Sequence, residues 1–185
     1  MVLTTARLVF RELTHEDLES VAAILQDAET MAVWKGPFTD EAVVAWLDTQ
    51  LARYAEFGFG LYAAVLRDTG QVIGQCGITW QDIDGVRRRE VGYLFNRAFW
   101  HRGFAVEAAS AMRDWAFNEL GTDDVWAQVR FTNLASMNVA IRCGMVIRCS
   151  FIKNYGGEDI PHLGFAITRG EWQEQKAVKS HSSDD

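Results

Sequence analysis

Residues 89–117, REVGYLFNRAFWHRGFAVEAASAMRDWAF, hold the transition that decides the fold. The first part, 89–96, reads as a strand. A polar and aromatic loop follows, and Gly103 opens an alanine-rich run. Ala105, Ala108, Ala109, Met112, Trp115 and Ala116 recur at helical spacing and make one stripe, while Ser110, Asp114 and Asn118 face away. Small side chains in that stripe let a helix approach a sheet closely. The first turn of a helix carries N–H groups without intrahelical partners, and its dipole adds positive potential. Gly103 removes a side chain at that point, and Arg97, His101 and Arg102 add charge. Such a helix start suits a phosphate or diphosphate. Neither GxxxxGK(S/T) nor a GxGxxG after the first strand occurs. On local chemistry alone, a ligand-free helix start with packing alanines stands level with an anion site.

Outward from this run, the periodicity predicts β-α-α-β-β-β-α-β-α-β-β. RLVFREL (7–13) alternates as a strand, and Thr14 with Asp17 forms a near capping box for a helix over 15–26. Gly36 and Pro37 break the next helical region, and Thr39 caps a helix that ends near Glu56. Strands follow at 60–67 and 72–80, with the polar stretch QDIDGVRR as a turn before 89–96. DVWAQVR (124–130) is a strand, and NLASMNVAIRCGM is a helix stopped by Gly144. A closing pair of strands flanks GGEDIP. The result is an α+β fold expected as one domain over 1–172, with a polar, disordered tail over 173–185.

With 185 residues, 49% of them hydrophobic and 23% charged, the composition is that of an ordinary globular chain. The net charge of −7 argues against broad nucleic-acid binding, and the arginines at 87–89 read as a solvated turn or a substrate rim. Cys76, Cys143 and Cys149 lack metal spacing, so no metal site is expected. The charged N-terminal strand lacks a signal peptide's apolar region, and no segment has the apolar span of a membrane helix. A cytoplasmic location is the resulting expectation.

The run 89–117 resembles the central motif of the GNAT superfamily of N-acetyltransferases. Within it, Trp100, Gly103, Phe104, Ala105, Glu107 and Ala108 resemble the branch that acetylates ribosomal-protein N termini. NLASMNVAIRCGM is similar to a second motif of the family, through Asn133, Ser136, Asn138, Cys143 and Gly144, and ARLVFRELTHEDLESV is typical of the branch. The resemblance covers roughly residues 4–170 and departs at Trp100, where most members carry glutamine or arginine, and at Met145, where they carry phenylalanine. It implies a GNAT-like, mostly antiparallel sheet, splayed between strands 89–96 and 124–130 and flanked by about four helices.

It also implies acetyl-CoA as cofactor. Backbone N–H groups from Arg102 to Ala105 would meet the diphosphate, with Arg97 and His101 beside them. Tyr93, Leu94 and Phe95 would pair with the pantetheine, and Asn133, Ser136 and Asn138 would complete the cofactor contacts. Acetyl transfer to an amine requires a base, a donor for the carbonyl oxygen and an acid for the leaving thiolate. Glu90 is the leading base, against the alternative of a strand glutamate paired with Arg88 or solvent. Glu12 is the runner-up. A backbone N–H near Leu94 or Phe95 suits the carbonyl oxygen. Ser136 is the candidate acid, because no tyrosine stands where many members place one. Glu107 reads instead as a carboxylate stabilising the helix start. Trp34, Phe38, Trp80, Glu90 and Tyr155 are candidate acceptor contacts, and His162 is a weaker one.

The leading function is transfer of an acetyl group to a protein N-terminal amine or a small amine, in a ternary complex. A donor such as succinyl-CoA is a close variant. The alternative is a catalytically inactive acyl-CoA-binding or regulatory module. The expected partners are an amine acceptor, no nucleic acid and no membrane, with the chain a monomer or homodimer.

Overall fold

The computed structural model describes residues 3–32, 34 and 36–181. Its strands are β1 (Leu3–Thr4), β2 (Leu8–Arg11), β3 (Leu61–Leu66), β4 (Val72–Ile83), β5 (Val86–Phe95), β6 (Asp124–Arg130), β7 (Val146–Tyr155) and β8 (Glu158–Thr168). Its α-helices are α1 (Leu18–Leu25), α2 (Asp40–Phe57), α3 (Phe104–Glu119), α4 (Leu134–Arg142) and α5 (Arg169–His181). The strands form one sheet in the order β1-β2-β3-β4-β5-β6-β8-β7. The β1–β2, β2–β3, β3–β4, β6–β8 and β7–β8 pairings are antiparallel. The β5–β6 pairing is parallel and has one register pair, Glu90 with Trp126.

The chain forms two compact units: Met1–Thr79 with Val91–Met112, and Trp80–Glu90 with Arg113–Asp185. β4, β5 and α3 contribute residues to both. The first unit has a core of Leu13, Val21, Leu25, Met31, Val43, Leu47 and Ala63, against which Phe38, Trp46 and Leu94 pack. Arg11 grips the buried Asp17 through two bonds of 2.7 Å each, and Asp17 accepts from the Thr14 N–H at 2.9 Å. The residues from 15 to 17 are a 3-10 turn, and the α-helix starts after it. Thr39 caps α2 by accepting from the Ala42 N–H at 3.3 Å.

In the second unit, strand alternation sorts the side chains. Val125, Ala127 and Val129 are buried on one face of β6, as are Phe165 and Ile167 on β8. On the other face Trp126 packs with Ile83 and Ala166, joined by Cys149 and Phe151.

Three expectations change. QDIDGVRR is not a long turn: β4 runs on to Ile83, and β5 resumes at Val86 across Asp84–Gly85 (φ 53° and 74°). Aspartate and glycine tolerate these left-handed angles, and their adjacency is the signal of a two-residue hairpin. The helices number five among the described residues rather than about four. Residues 173–181, expected to be disordered, continue α5, while 182–185 lie outside the described residues. Trp172 anchors that helix: its ring stacks on Phe117 at 4.8 Å, and its indole N–H donates to Asp114 at 2.7 Å.

Candidate active site

The loop between β5 and α3 is built from the first unit. Asn96 ends β5 and accepts from the Ala98 N–H at 2.9 Å, starting a 3-10 turn over Arg97–Phe99. The Trp100 indole donates back to the Phe95 carbonyl at 2.8 Å, which closes the loop on the strand it left. His101 and Gly103 then adopt left-handed angles, φ 61° and 79°. Glu107 N–H to Gly103 C=O, at 3.1 Å, is the first helical bond of α3. Phe104 and Ala105 thus begin the helix with N–H groups that have no intrahelical acceptor. Thr39 and Asn133 supply side-chain caps to α2 and α4. Gly103 has no side chain with which to do so.

Glu107 does not turn back to those N–H groups. It accepts from the Thr5 hydroxyl (2.7 Å), the Arg7 N–H (2.9 Å) and the Arg7 guanidinium (2.6 Å). Burial acts against its ionisation most strongly, yet these donors together hold its carboxyl below the ordinary carboxylate value. Arg7 also donates to the Arg102 carbonyl at 2.8 Å and lies 4.3 Å from the Phe104 ring centre. The N-terminal strand thus clamps the loop through one arginine. Nothing in the sequence reading pointed to Arg7.

The expected positive charges part company here. Arg97 bonds Glu29 at 2.7 Å and lies 3.6 Å from Asp27, so its charge is engaged on the segment after α1. His101 and Arg102 are exposed, and the Arg102 guanidinium sits 5.5 Å from the Phe99 ring centre. Phe95 is buried: a Cβ on Gly74 would collide with its ring. Trp34, Phe38 and Trp46 gather in the same unit, with Trp34 and Phe38 each edge-on to Trp46 at 6.0 and 5.9 Å.

In the second unit Glu90 is 9% exposed. Its carboxylate accepts from the Gln128 backbone N–H at 2.9 Å and the Gln128 side-chain amide at 3.2 Å. Arg88, the partner expected for a purely structural glutamate, pairs with Asp124 at 3.1 Å. The Gln128 amide also reaches Gln81 (3.3 Å) and accepts from Lys153 (2.9 Å). Asn133 caps α4 by accepting from the Ser136 N–H at 3.1 Å. His162 is buried, and its Nδ1 bonds the Ile160 carbonyl at 2.8 Å. Burial, then Lys153 and Arg130, push its pKa below the ordinary value. Tyr155 lies 5.8 Å from the His162 ring and 5.4 Å from the Lys153 ammonium.

The arginine run does not form one basic stripe. Arg87 and Arg89 lie over Trp80 at 4.8 and 4.9 Å, whereas Arg88 lies over Trp126 at 4.7 Å. Trp80 and these arginines line a cavity of about 260 Å³ with Gly121, Thr122, Asp123 and Asp124. Among the described residues no helix is long and apolar enough to cross a membrane, and no cluster of three histidine, cysteine or acidic side chains is placed to hold a metal.

Comparison with known proteins identifies the fold. The acetyltransferase (GNAT) domain family matches residues 7–146. The uncharacterized N-acetyltransferase YnaD of Bacillus subtilis is 30% identical, over 93% of this chain and 99% of its own. The FsC-acetyl coenzyme A-N(2)-transacetylase of Aspergillus fumigatus is 30% identical, over 92% of this chain and 77% of its own. The crystal structure of an acetyltransferase from Agrobacterium tumefaciens superposes with a TM-score of 0.77 at 29% identity, over 91% of this chain and 95% of that one. The chain belongs to the GNAT acetyltransferase family.

Proposed function

We propose that this protein moves an acetyl group from acetyl-CoA to a primary amine by direct attack within a ternary complex. The carrying observation is the start of α3: a 16-residue helix preceded by a left-handed glycine, which itself brings no side chain to that end. The name of the fungal relative, an acetyl coenzyme A N(2)-transacetylase, supports both the donor and a nitrogen acceptor.

The residues present fit the cofactor. The N–H groups from Arg102 to Ala105 would hold its diphosphate, with His101 and Arg102 adding charge. The backbone of Tyr93–Phe95 would run beside the pantetheine, and Asn133 and Asn138 would position the chain end. Arg97 serves chiefly to brace the loop, through Glu29 and Asp27. Bound acetyl-CoA supplies the thioester and its thiolate leaving group.

Glu90 takes the proton that the amine gives up. A carboxylate held by the Gln128 N–H and side-chain amide can receive that proton directly or through a water. A backbone N–H near Leu94 or Phe95 stabilises charge on the carbonyl oxygen. Ser136 gives a proton to the departing sulfur. Trp34 and Phe38 are the leading acceptor contacts. Trp80 and Tyr155 are secondary, because cations already lie over their rings.

The tryptophan-led loop favours the branch that acts on ribosomal-protein N termini, with small amines as the other acceptor class. Three free thiols and use of acetyl-CoA suit a cytoplasmic monomer or homodimer. Thiol release with a panel of amines and N-terminal peptides tests the reading. Acetylated product detected by mass supports it, and acetyl-CoA binding without any amine turnover favours a regulatory module. Ser136→Ala is expected to lower turnover more than it lowers cofactor affinity. Unchanged turnover removes Ser136 from the reaction.

A further inference from the structure

We infer that Lys153, on β7, is a positioning residue for Glu90 and acts through the side-chain amide of Gln128. The inference rests on the reading of Glu90 as the base.

The β5–β6 ladder ends at Glu90 and Trp126, so the backbone N–H of Gln128 needs another acceptor. The Glu90 carboxylate supplies it at 2.9 Å. The second bond depends on which way the Gln128 amide faces. An amide that turns over exchanges an acceptor for a donor at almost no cost in shape, so its partners decide its orientation. An ammonium has donors and no acceptor. With Lys153 at 2.9 Å, Gln128 must present its oxygen there. Its NH2 then faces Glu90 at 3.2 Å and Gln81 at 3.3 Å. The choice made at β7 thus reaches the carboxylate on β5, which gains a second donor. Both donors favour its ionised form.

Charged and titratable groups around this chain include Arg88 on β5, Asp124 and Arg130 on β6, Lys153 and Tyr155 on β7 and His162 on β8. Arg88 is engaged by Asp124. His162 donates from Nδ1 to a carbonyl, and its depressed pKa keeps it neutral near pH 7. That leaves Lys153 as the cation bonded to the amide.

Lys153→Met removes the ammonium that holds the amide oxygen, so the amide can present that oxygen to Glu90 once its carboxyl is protonated, which favours the protonated form. The acid limb of kcat/KM is then expected to move to higher pH by ~0.5–1 unit, the scale of one hydrogen bond to a carboxylate. Lys153→Arg, also a pure donor, is expected to restore the limb. An independent reading comes from the NMR signals of the Gln128 side-chain NH2 in the free protein, assigned by their loss in Gln128→Leu. They are expected to shift in Lys153→Met and to stay near the wild-type position in Lys153→Arg. An unmoved acid limb with unmoved NH2 signals overturns the inference. Glu90→Gln separates the two failures. If its rate and acid limb match the wild type, the base reading fails and takes the inference with it. If it abolishes the limb while Lys153→Met is silent, the inference alone fails.

Discussion

Gly103 shows how one residue sets both a backbone and a binding surface. Its φ of 79° is costly for any residue with a Cβ. A Cβ there would meet only the Arg7 guanidinium, at an ordinary 3.6 Å. The penalty of Gly103→Ala is therefore conformational, about 1–2 kcal/mol, and chemical denaturation is expected to read it as a lowered midpoint. Glu107 is the second decisive residue. Its carboxyl is held low in the folded protein, so the stability it contributes is present above the ordinary carboxylate range. That stability is lost as pH falls through the folded value. Glu107→Gln is expected to cost about 1–3 kcal/mol at neutral pH. The gap to the wild type should close below about pH 4, measured by thermal unfolding across pH. The place of Glu107 in a first helical turn was legible in the sequence, but the partners it takes instead of the helix N–H groups, Thr5 and Arg7, were not. They lie about a hundred positions away, and no local periodicity encodes such a pairing.

At the scale of elements, the sequence was most readable where one period ran unbroken. The strand expected at 124–130 is β6 without change, and the Thr39 cap starts α2 as expected. Readability failed where polarity was taken for a turn, as in QDIDGVRR, whose polar residues belong to two paired strands. In α4 the apolar residues do not share one burial. Ala140 is buried there, but Leu134 and Ile141 are 74% and 60% exposed. The tail was misread too. α5 is polar almost throughout, and the buried Trp172 is the apolar anchor of a docked face that also uses Gln175. Trp172→Ala removes the stack on Phe117 and the bond to Asp114. A loss of about 3–5 kcal/mol is expected, seen as a lowered unfolding midpoint with faster amide exchange along α5.

At the scale of the whole molecule, the family was legible because several weak motifs occur together in order, from ARLVFREL through FWHRGF to NLAS. Each reflects a local need: a strand edge, a bare helix start, a capped helix. The acceptor was less legible. It depends on loop geometry, which side-chain type alone does not fix. The central claim, an acetyl-CoA site at the start of α3, is tested most directly by calorimetric titration of the purified protein with acetyl-CoA, beside a folded Gly103→Val variant. Saturable binding by the wild type, strongly weakened in the variant, is the expected result. Absence of binding by the wild type across salt and pH would contradict the claim, and so would equal binding by both proteins.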